Sequence, residues 1–134
     1  VLNTFVSIRT FAAITPKNAP QNIFDLILAL TYAALAFTVD SVLRFSLLST
    51  ALFVVAALKY IHLRSLIVIE RRLIARKILL NSLGAGLSSL AFIITLWGSA
   101  NVAAWTLSLT FTLANVYLLF VRPMYRLDQE DNGV

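Results

Sequence analysis

Between residues 78 and 121 the chain carries no Asp, Glu, Lys or Arg. A soluble domain has to turn charged surface to water from each of its elements, and a tract of this length offers none. The rest of the sequence agrees. It is 60% hydrophobic and 13% charged, against about 45–50% and about 25% for soluble domains. The reading is an all-α, polytopic integral membrane protein.

Four stretches have the length to cross. The first, 22–39, reads NIFDLILALTYAALAFTV, and at about 1.5 Å per residue it reaches about 27 Å, enough for the hydrocarbon layer. The second is 42–60, divided from the first at Asp40-Ser41. A single helix over 22–60 would run about 58 Å, nearly twice the need. The third and fourth, 78–97 and 102–121, are separated by Gly98, Ser99, Ala100 and Asn101. Two antiparallel hairpins result.

Flanking these spans (22–121) are an N-terminal segment, 1–21, and a polar tail, 122–134. The chain starts with Val rather than Met, as expected of a trimmed or processed sequence. Val1, Phe5, Ile8 and Ala12 recur at helical spacing, which suits a helix lying on the membrane surface. Pro16 and Pro20, with Lys17 between them, should end it. Asn22 is expected to cap the first span, with Asp25 in an acidic first turn. Asp40 is expected to cap the second and to pair with Arg44 four residues on. Asn101 is expected to cap the fourth.

Six of the eleven basic residues fall in 59–77, KYIHLRSLIVIERRLIARK. Arg64, Arg71, Arg72, Arg76 and Lys77 are the candidate contacts to lipid headgroups or to a partner, either from a helix skimming the interface or from spans extended beyond it. The net charge of +5 is thereby assigned to anionic lipid rather than to nucleic acid. Orientation follows from the same residues. With both termini inside, Arg9, Lys17, Lys59, Arg64, Arg71, Arg72, Arg76, Lys77, Arg122 and Arg126 lie on the inner side, and Arg44 alone lies outside. Trp97 and Trp105 fall near the outer interface, Tyr60 and Tyr125 near the inner one. The expected location is a prokaryotic inner membrane or an organelle membrane, with both ends on the cytoplasmic, matrix or stromal side.

Helix contact has its own pattern. Gly84, Ser88, Ala91 and Thr95 share one face of the third span, and Ala104, Ser108, Thr112 and Asn115 one face of the fourth. Stripes of small residues let helices approach closely. Asn81 and Asn115 are the candidates for bonds between helices. Leu28, Phe53, Phe92, Phe111 and Phe120 are left for lipid or subunit contact.

No reaction signature is present. The chain has no cysteine and one histidine, His62, so neither a thiolate site nor a haem held by two of its own histidines can form. There is no GxSxG, HExxH or phosphate-cradling glycine loop. Neither an enzyme nor a cofactor is expected. The leading expectation is a non-catalytic accessory subunit of a larger membrane complex, with lipids and other membrane subunits as partners. Two alternatives stand beside it: a small oligomeric transporter or channel with a weakly polar path near Asp40, Asn81, Ser88 and Asn115, and a membrane anchor with a basic lipid- or partner-binding face.

Overall fold

The computed structural model describes residues 18–67, 71–117 and 120. These residues form four helices: α1 (Ala19–Ala36), α2 (Val42–Leu66), α3 (Arg71–Leu96) and α4 (Ala100–Val116). The first three are long and apolar enough to cross a membrane. With 17 α-helical residues, α4 reaches about 25 Å and is not among them. The expected surface helix over 1–15, the tail 122–134, residues 118, 119 and 121 of the fourth span, and residues 68–70 lie outside the described residues.

The chain divides into two compact units, Pro16–Ser108, and Val1–Thr15 with Leu109–Val134. The described part of the second unit is the C-terminal half of α4 with Tyr117 and Phe120. Within the first unit α2 packs most extensively on α3, and α1 packs on α2.

Helix boundaries follow from capping chemistry, and here several expectations are corrected. Asn18 caps α1, its Oδ1 accepting the Gln21 N–H at 3.0 Å, so Asn22 lies inside the helix. Pro20 opens α1 rather than closing a preceding element, because a proline in the first turn gives up an N–H that has no helical partner there. Ser41, in extended conformation, caps α2 by accepting the Arg44 N–H at 3.4 Å. Asp40 stands one residue too early for that role. At the other end of α3, Gly98 adopts φ 96°, a left-handed conformation that favours glycine. The Gly98 N–H donates to Thr95 O at 3.2 Å and the Ser99 N–H to Ile94 O at 3.3 Å. This is the paired Schellman closure, which satisfies the last carbonyls of α3. Because α4 starts at Ala100, Asn101 lies inside its first turn instead of capping it.

The basic connection is mostly helix. Lys59 and Arg64 belong to α2, and Arg71, Arg72, Arg76 and Lys77 belong to α3. Neither Gly nor Pro occurs between Gln21 and Leu83, so nothing in that run stops a helix early. At 25 and 26 residues, α2 and α3 reach about 37 and 39 Å, beyond the roughly 30 Å hydrocarbon core.

Candidate functional site

One contact between helices sets a ring against backbone. The Phe53 ring of α2 lies over Gly84 of α3, so that a Cβ added at Gly84 would stand 2.7 Å from Phe53 Cδ1. Phe53, expected to face lipid or a subunit, instead fills this notch. Small residues continue the seam on both sides of it. Ser46, Ser49 and Ala57 of α2 are buried, as are Ser88 and Ala91 of α3.

Packing of α1 on α2 uses polar and aromatic groups near one end. Asp25 forms a salt bridge with Lys59, a contact across 34 residues of sequence that replaces the expected first-turn role of Asp25. The Phe24 and His62 rings lie 6.1 Å apart. Gln21, 1% exposed, has both carboxamide atoms buried without a hydrogen-bond partner, and His62 Nε2 shares that condition.

The expected pair of Asp40 and Arg44 does not form. Among the described residues the salt bridge is the one between Asp25 and Lys59, and Asp40 and Arg44 are both exposed. Asn81 and Asn115 are corrected as well. Asn81 Nδ2 donates to Lys77 O at 2.8 Å and Asn115 Nδ2 to Phe111 O at 2.7 Å, each within its own helix. Thr31, Thr50, Thr95 and Thr106 donate in the same way to the carbonyl four residues earlier. A side chain that can reach its own backbone carbonyl is satisfied locally, without a partner helix. Ser88 Oγ differs, being buried with no hydrogen-bond partner.

Along α4, Ala104 is half-buried, Ser108, Thr112 and Asn115 are exposed, and the buried residues are Ala103 and Leu107. Of the basic set, Arg64, Arg71 and Arg72 are exposed, Arg76 is half-buried and Lys77 is buried. No group of three or more His, Cys, Asp or Glu that could hold a metal ion occurs among the described residues. Among the described residues the geometry brings together the Asp25–Lys59 ion pair, the Phe24–His62 ring pair and a tight helix seam.

The arrangement has no match in the comparisons with known proteins: no protein-family model, curated protein or solved structure is significantly similar to the chain.

Proposed function

We propose that this protein is a non-catalytic accessory or structural subunit of a larger membrane-protein complex, respiratory, photosynthetic or similar. One observation carries the reading. The weakly polar side chains are largely bonded within their own helices, while large apolar ones such as Ile23, Leu26, Leu30 and Val102 point outward. Such a surface needs lipid or another subunit as its surroundings. The transporter alternative is weakened by the local bonding of Asn81 and Asn115.

In the full arrangement α4 is the fourth span and the helices form two antiparallel hairpins. The contacts of Asp25 with Lys59 and of Phe53 with Gly84 support opposed neighbours. Both termini lie on the side of the basic residues, the cytoplasmic, matrix or stromal side of a prokaryotic inner membrane or an organelle membrane. Extraction from its native membrane in the mildest detergent, followed by native mass measurement, tests the role. The expected result is a stoichiometric assembly with other membrane proteins, and a chain that emerges alone under every mild condition contradicts it.

A further inference from the structure

Arg64, Arg71, Arg72 and Arg76 stand together in sequence around the α2–α3 connection, and none of their side chains has a hydrogen bond or ion pair among the described residues. Lys59, by contrast, is matched by Asp25. Arg72 and Arg76 are like charges at i and i+4 of α3, which repel if left alone.

What lies beyond them on the same face is apolar. Arg72, Arg76, Leu79, Leu83, Gly86 and Leu90 fall within about 40° of one line along α3. Leu79 is 59% and Leu83 54% exposed. Gly86 leaves a gap in the strip, since a Cβ there would meet nothing within 4 Å. From Arg76 to Gly86 the rise is about 15 Å, half of a roughly 30 Å hydrocarbon core and so the depth of one leaflet. Two guanidiniums at the head, exposed leucines below and a notch at acyl-chain depth match a lipid in both charge and length.

We propose that this strip of α3 is a seat for one anionic phospholipid. Arg72 and Arg76 hold its phosphate, and an acyl chain runs over Leu79 and Leu83 into the gap at Gly86. The proposal rests on the membrane reading and goes beyond it, because it assigns a particular lipid class to a particular face. Arg64 and Arg71 lie off the strip and supply only general attraction.

The test uses the delipidated full chain in detergent, titrated with dioleoylphosphatidylglycerol, with dioleoylphosphatidylcholine or with inorganic phosphate, bound lipid being counted by native mass spectrometry. One phosphatidylglycerol should be retained in preference to phosphatidylcholine. Neutralising the pair in the double variant Arg72→Gln/Arg76→Gln should weaken its retention by roughly tenfold or more. The off-strip variant Arg64→Gln/Arg71→Gln should weaken it less than about twofold, since general attraction falls off with distance and is screened. Gly86→Leu should displace the lipid with all the arginines in place, and circular dichroism checks that each variant keeps its helices. Equal losses in the two double variants would overturn the seat in favour of diffuse attraction. So would equal retention of the two lipids, or free phosphate competing with phosphatidylglycerol at equal concentration. A chain that does not enter liposomes at all sinks the membrane reading together with the seat, whereas insertion without lipid preference sinks the seat alone.

Discussion

The two faces of α3 use the same amino acid for opposite ends. Gly84 and Gly86 are two residues apart, which on a helix is about 200° of rotation. On the inward face Gly84 admits the Phe53 ring against the backbone, in line with buried Ser88 and Ala91. On the outward face Gly86 meets nothing, in line with exposed Leu79, Leu83 and Leu90. The inward glycine is therefore a requirement of packing, whereas the outward one borders open space. Composition alone does not separate the two; the position of α2 does.

The sharpest way to break this comparison is to fill the inward notch. Gly84→Leu should cost about 3 kcal/mol or more of stability in micelles, because an isobutyl group has no room beside Phe53 and overpacking strains its neighbours. Denaturant titration followed by circular dichroism measures it, and a loss no larger than that of an outward substitution would reverse the assignment of faces. Ser88→Ala, on the same inward face, should raise stability by about 1 kcal/mol, since it removes a buried hydroxyl that has no partner. A loss in that titration would mean that the hydroxyl is bonded in the folded protein. Gly86→Ala should raise stability by about 0.5–1 kcal/mol, because it lowers the entropy of the unfolded chain and meets no neighbour. Its sign is thus opposite to that of Gly84→Leu. The smallest effect is expected from Leu83→Ala, within about 0.5 kcal/mol, as for surface sites away from special features. A loss near that of a core leucine would place Leu83 inside a contact.

What the sequence made legible was what depends on local pattern. The apolar tract after Lys77 predicts the long α3, and the glycine at 98 predicts the break that its positive φ explains. The start of α1 is ambiguous in sequence, because Pro20 suits a stop and a proline in the first turn is as compatible with a start. Asn18 and Asn22 are both good caps by type, and only the Asn18 bond to the Gln21 N–H distinguishes them. The polar residues were harder still. Asn81 can bond across to a neighbour or back to Lys77 O, and sequence gives no preference between the two. The pairing of Asp25 with Lys59 and the seating of Phe53 on Gly84 join separate helices, so no local signal announces them. The strip from Arg72 to Leu90 was half legible. Its periodicity is in the sequence, but its exposure and the open space at Gly86 are properties of the fold.

The subunit reading and the lipid seat both require that α3 cross the bilayer, with its basic end and its Gly98 closure on opposite sides. The chain contains no cysteine, so Ser65→Cys and Ser99→Cys can be introduced singly and each probed in sealed, oriented vesicles with a membrane-impermeant maleimide. One of the two should label in intact vesicles and the other only after permeabilisation. Labelling of both from the same side would contradict the crossing.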